Sequence, residues 1–132
     1  MSRAPVRGTL VVMTRPVWIS VTPELPVADV REAQRWYSEV LGWKVGWVSE
    51  DESYAALYVE TLELFLRRTA VLRPGFVTCI RVSDVESVFA ACCEAGAKIT
   101  AELETRPWQM REFSVEDPDG NLLRIGQSTL VE

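Results

Sequence analysis

Between residues 30 and 41 the apolar side chains fall at Val30, Ala33, Trp36, Tyr37, Val40 and Leu41, the i, i+3, i+4, i+7 spacing of a helix with one buried face. Asp29 precedes the run with Glu32 three residues later, a capping-box spacing, and Gly42 follows it. A second stripe, Val85, Val88, Phe89, Cys92 and Cys93, lies between a capping Ser83 or Asp84 and a terminating Gly96. Short segments of strand character flank both helices. In the first half they cover about residues 17–25, 43–48, 54–59 and 62–67, and in the second about 76–82, 98–102, 110–115 and 122–127.

The order strand, helix, three strands therefore occurs twice. Val27-Ala28-Asp29-Val30 and Val82-Ser83-Asp84-Val85 open the two helical segments, and Gly42-Trp43-Lys44-Val45 and Gly96-Ala97-Lys98-Ile99 close them. An offset of 55 residues between Asp29 and Asp84 marks a duplicated module within one α+β domain, not a solenoid. The expected organisation is an N-terminal extension over 1–16 and a single domain over 17–132. Its repeats span about 17–70 and 75–127, separated at Leu72-Arg73-Pro74-Gly75. Near the end, Asp117-Pro118-Asp119-Gly120 carries the residues of a tight turn between two strands, a β-hairpin. These two aspartates read as turn residues rather than as a paired general acid and base.

At 132 residues the chain is long enough for a core without covalent staples. No apolar run reaches the ~18–20 residues of a membrane span, and the short run 10–13 falls below a signal segment of ~7–15 residues. The expectation is a cytoplasmic protein. All 19 acidic residues but only 11 of the 14 basic ones lie after residue 16. So acidic a body does not suit nucleic acid, whose phosphates need the opposite sign; it suits a cationic small molecule or simple solubility. Cys79, Cys92 and Cys93 lack metal-type spacing and read as core thiols in a reducing compartment. Histidine is absent, which excludes His-dependent triads, a His general base and every imidazole-built metal site.

The chain carries Trp36-Tyr37 with Leu41-Gly42-Trp43 at the first helix and Asp117-Pro118-Asp119-Gly120-Asn121 in the closing hairpin of the duplicated module. Over about residues 17–127 the chain thereby resembles the glyoxalase/bleomycin-resistance/dioxygenase superfamily, the vicinal oxygen chelate proteins. The resemblance implies paired βαβββ modules whose strands curl around a cleft. Most enzymes of that superfamily hold a divalent metal at four matched strand positions, which fall here on Thr22, Glu63, Val77 and Arg124. A hydroxyl, one carboxylate, a hydrocarbon and a cation do not make such a site, so no metal or other cofactor is expected. Pro23, the Arg106-Pro107-Trp108 loop and Trp47 resemble the metal-free, antibiotic-binding branch. That branch implies a homodimer with exchanged N-terminal strands and two clefts at the subunit interface. It implies resistance by sequestration without chemistry. The longer N-terminal extension and a loose match over 54–66 depart from its pattern.

Five tryptophans supply candidate ligand contacts. Trp36 and Trp43 stand at core spacing, Trp18 suits either core or interface, and Trp47 suits a half-buried pocket wall. Trp108, in a loop with polar neighbours, has no core stripe to join and reads as a binding residue. Glu50, Asp51 and Glu52 read as a solvated turn. Arg124 suits either an acidic group on a ligand or an internal pair with Glu63, the latter favoured because an unpaired buried guanidinium is costly. Arg111 and Glu112 alternate, so only one faces the cleft. The candidate binding set is Trp47, Trp108, Glu63, Arg124, Tyr54, Phe76 and Arg111.

The expected function is sequestration of an aromatic or conjugated natural product, bleomycin-like, mitomycin-like, or an enediyne or anthraquinone. One alternative is a metal-independent isomerase or cyclase with Glu63 or another cleft carboxylate as base; no nucleophile stands beside a base in the sequence. A further alternative is an interaction domain whose cleft no longer holds a ligand.

Overall fold

The computed structural model describes residues 15–130, and the expected extension over 1–16 lies almost entirely outside them. The chain order is β1 (Glu24–Val27), α1 (Val30–Leu41), β2 (Lys44–Val48), β3 (Tyr54–Val59), β4 (Leu62–Arg68), then β5 (Val77–Arg81), α2 (Val85–Glu94), β6 (Lys98–Arg106), β7 (Met110–Glu116) and β8 (Leu122–Ser128). Each βαβββ module closes its own four-stranded mixed sheet, in the orders β1-β4-β3-β2 and β5-β8-β7-β6. The first strand of each module lies parallel to its last, Glu24 opposite Phe65 and Cys79 opposite Arg124. The remaining pairs are antiparallel.

Local signals set the helix ends. The Asp29 carboxylate accepts from the Arg31 and Glu32 N–H groups, and Gly42 ends α1 at φ 73°, a conformation that costs glycine little. Asp84 caps α2 through Ser87 N–H. Val30, Ala33, Tyr37 and Val40 from α1, with Val85 and Cys92 from α2, join strand residues such as Leu57, Leu66, Phe113 and Ile125 in one shared core. Each sheet thus has a helix-covered face and an open face.

Three expectations change. The first strand does not extend back to residue 17. It begins at Glu24, and Val17, Trp18, Ile19 and Val21 stand exposed, Trp18 by 94%. The β1–β4 register begins with Glu24 opposite Phe65, whose N–H also bonds Pro23 O at 2.9 Å, and among the described residues the ladder goes no further back. Strand β6 is longer than expected because its pairing with β7 continues to Arg106 opposite Met110. Only Cys92 is a core thiol, whereas Cys79 and Cys93 are exposed.

The hairpin motif also joins the two modules. Asp117 is buried and accepts from Tyr37 Oη at 2.6 Å, from Asn121 Nδ2 at 3.0 Å and from the N–H groups of Asp119 and Asn121. Asn121 donates to Pro26 O and accepts from Phe76 N–H. Asp119 accepts from Ala28 N–H, and burial is the main reason its carboxyl titrates above the ordinary range.

Candidate ligand-binding site

Strand register decides which side chains share each open face. On the first sheet, Tyr54, Ala56 and Tyr58 of β3 stand opposite Arg67, Phe65 and Glu63 of β4. Trp47 of β2 leans on Phe65, ring centres 5.4 Å apart, and is 45% exposed. A side chain at Gly46 would begin 2.5 Å from the Tyr58 ring, so glycine there lets that ring lie flat on the strand. Glu24 carries the far end, 3.4 Å from Tyr54 Oη and 3.5 Å from Arg67 Nε. The result is an aromatic surface with polar groups at its margins, where apolar contact and ring packing both favour a flat ligand.

On the second sheet, Glu112 and Ser114 of β7 stand opposite Gly126 and Arg124 of β8, with Arg81 and Cys79 of β5 completing the rows. Trp108 rises over this face from the turn between β6 and β7. Gln109 takes φ 65° there, and its N–H bonds Arg106 O at 3.0 Å. The indole N–H of Trp108 donates to Glu112 Oε1 at 3.3 Å, leaving the ring 62% exposed. Trp108, Glu112 and Arg124 line two adjoining hollows of about 320 and 460 Å3. A further cavity of about 560 Å3 lies between the modules, with Thr22, Trp43 and Glu63 on one side and Cys79 and Arg81 on the other.

The candidate residues are thus divided. Trp47, Tyr54 and Glu63 share the open face of the first sheet, and Trp108 and Arg124 share that of the second. Glu63 and Arg124 form no ion pair, because register sends them to different sheets. The β7 alternation turns Glu112 toward the cleft and Arg111 toward α2, where its Nε meets Glu86 at 2.5 Å. Phe76 precedes β5, with its N–H on Asn121, and lines none of these hollows. In the acidic turn, Glu52 pairs with Arg31. Asp51 accepts from Ser53 and Ser49, bonds that lower its pKa to about 2.

Phe65, Arg81 and Arg106 were not candidates from the sequence. Phe65 reads as one apolar strand residue among several, and only the parallel pairing of β5 with β8 brings Arg81 beside Gly126.

The model of the Glyoxalase/Bleomycin resistance protein/Dioxygenase superfamily matches residues 18–125. The chain belongs to this superfamily. Among solved structures, TioX from Micromonospora sp. ML1 is 25% identical, with a TM-score of 0.73 over 83% of this chain and 98% of its own. The bleomycin-binding protein of bleomycin-producing Streptomyces verticillus, complexed with copper(II)-bleomycin, is 20% identical, with a TM-score of 0.72 over 84% and 97%. The bleomycin resistance determinant encoded on transposon Tn5 is 24% identical, with a TM-score of 0.74 over 86% and 100%. No curated protein sequence matches at a significant level.

The superfamily includes enzymes by name, and the resemblance implies four metal-holding positions. Thr22, Glu63, Val77 and Arg124 offer a single carboxylate and place a cation where a ligand would stand, a set that does not fit a divalent ion. Among the described residues no three His, Cys, Asp or Glu side chains gather at one point. No helix among them is long and apolar enough to cross a membrane.

Proposed function

We propose that this protein binds and sequesters an aromatic or conjugated natural product, such as a bleomycin-like, mitomycin-like, enediyne or anthraquinone compound. It holds the compound without chemistry and confers resistance to it from within the cytoplasm. The observation that carries this reading is the pair of exposed tryptophans on open sheet faces, Trp47 leaning on Phe65 and Trp108 bonded to Glu112. Core packing explains neither ring. Structural likeness to two bleomycin proteins supports it.

The reading includes a homodimer. Among the described residues, Trp108 lines the two hollows of the second sheet and Trp47 lines neither of them. The cleft is formed where the first sheet of one subunit meets the second sheet of its partner. Val17, Trp18, Ile19 and Val21, exposed ahead of β1, extend to the partner as exchanged strand.

The test is a titration of the metal-stripped protein with a panel of such compounds, followed by tryptophan fluorescence, with bound ligand recovered and compared with the starting compound by chromatography, NMR and mass spectrometry. Saturable quenching near one ligand per subunit, with the ligand chemically unchanged, is expected. A new species, of the same mass where the compound is only isomerised, would transfer the case to a metal-independent isomerase or cyclase. Silence across the panel would remove the proposal.

A further inference from the structure

The hollows on the open face of the second sheet are lined by more cations than anions, within an acidic protein. Arg81, Arg106 and Arg124 line the two, against one lining carboxylate, Glu112. Glu112 already accepts the Trp108 indole N–H. Among the described residues, Arg81 and Arg124 take part in no ion pair. Among the described residues, the one hydrogen-bond partner of Arg124 is the Cys79 sulfur at 3.9 Å, a weak acceptor. Arg106 pairs with Glu104 through one terminal nitrogen, but its Nε is buried and has no hydrogen-bond partner among the described residues. A guanidinium presents five donors in a planar fork matched to carboxylate. Here much of that capacity is unmet, in hollows that an aromatic ring overhangs.

Register gives the site its shape. Gly126 stands between Arg81 on β5 and Glu112 on β7. A side chain there would begin 2.8 Å from Met110 and 3.1 Å from Glu112, so glycine keeps this part of the sheet low. The Glu112 bond fixes the Trp108 ring without occupying its faces.

We infer that the open face of the second sheet recognises an acidic group on the ligand. The preferred compound is an aromatic ring system bearing a carboxylate or acidic phenol. Its ring lies on Trp108, and its acid is received by Arg124 and Arg81, with Arg106 at the far margin. Charge-assisted, bidentate contacts of this kind are the strong ones, and each stays unsatisfied when the ligand is neutral or cationic. The inference rests on the holding role proposed above and narrows its ligand class away from purely cationic drugs.

The full-length protein is titrated by tryptophan fluorescence with three probes sharing one ring system: anthraquinone-2-carboxylate, its methyl ester and 2-(aminomethyl)anthraquinone. The acid is expected to bind at least about tenfold more tightly than the ester, and the amine most weakly. Raised salt should narrow the gap. Arg124→Gln should remove about tenfold of acid affinity while changing ester affinity less than about twofold. Arg81→Gln, on an exposed side chain, repeats the test should the first variant fold poorly by circular dichroism. Equal binding of all three probes, or a preference for the amine, would overturn the acid subsite and leave the holding role standing. No quenching by any of the three would overturn the acid subsite, whereas the holding role would fall only with silence across the wider panel.

Discussion

Tyr37 Oη donates to Asp117 Oδ2 across 2.6 Å, joining α1 of the first module to the final hairpin of the second. Both groups are buried, so the bond is shielded from competing water. Tyr37→Phe keeps the ring and removes the donor. It should cost about 1.5–3 kcal/mol in urea unfolding, the usual range for a hydrogen bond to a charged group. The pH dependence has a definite sign. Burial, then the Asp117 charge, raises the Tyr37 pKa well above its ordinary 10.0. The unfolded chain loses this proton near the ordinary value, while the folded chain keeps it. The stabilisation is therefore complete below pH 10 and declines as pH rises toward the folded pKa. The gap between wild type and Tyr37→Phe should shrink between pH 10 and 11; a constant gap would count against the account.

Asp117 marks where local sequence signals stop. Turn chemistry identified residues 117–120, and capping identified Asp29, Gly42 and Gly96, because those interactions close within a few residues. The partners of Asp117 and Asn121 lie 80 and 95 residues away, on Tyr37 and Pro26, and no spacing encodes them. Buried Gln34 was missed for the same reason: its amide donates to Ala56 O at 3.0 Å, across the first module. The candidate binding faces were half legible. Alternation said that Arg111 and Glu112 exclude each other, but only the β7–β8 register chose Glu112. The favoured Glu63–Arg124 pair rested on both residues facing a cleft; the β3–β4 and β7–β8 registers put them on separate sheets of the chain.

Gly75 packs against the same hairpin turn. A methyl group on it would collide with Gly120 O and crowd the Gly120–Asn121 peptide. This neighbour is backbone, tied down by Asp117 and Asn121, so it cannot swing aside as a side chain does. Gly75→Ala should destabilise by about 1–3 kcal/mol, the range for overpacking, measured by urea or thermal unfolding. Gly42→Ala meets no neighbour and should show only the smaller cost of a positive φ, about 1–2 kcal/mol. Equal effects would mean that the Gly75 contact relaxes freely.

The three cysteines should separate by reactivity. Cys92 is buried in the shared core, and desolvation raises its thiol pKa to about 11. Little of it is thiolate at pH 8, the reactive form. Cys79 and Cys93 are exposed. Ellman's reagent under native conditions should titrate two thiols promptly and the third only on unfolding. If Cys79 lines a ligand cleft beside Arg124, a bound ligand should slow one of the two fast thiols. Three fast thiols would place Cys92 outside the core.

The most discriminating test of the shared cleft uses two defective subunits. Trp47→Ala and Trp108→Ala should each weaken ligand binding by about tenfold or more, as loss of a buried aromatic contact does. In a homodimer whose clefts combine the first sheet of one subunit with the second of its partner, each single variant damages both clefts. A mixed dimer behaves differently. One cleft takes Trp47 from the Trp108→Ala subunit and Trp108 from the Trp47→Ala subunit, and is intact; the other lacks both rings. Denaturing and refolding the two variants together should therefore restore full affinity at about one cleft in four, since half the dimers are mixed and each mixed dimer carries one good cleft. Recovery of that fraction, absent from either variant refolded alone, would establish a cleft built across subunits. If Trp47 and Trp108 instead served a cleft within one chain, no mixing would rescue binding, because every subunit would carry its own defect.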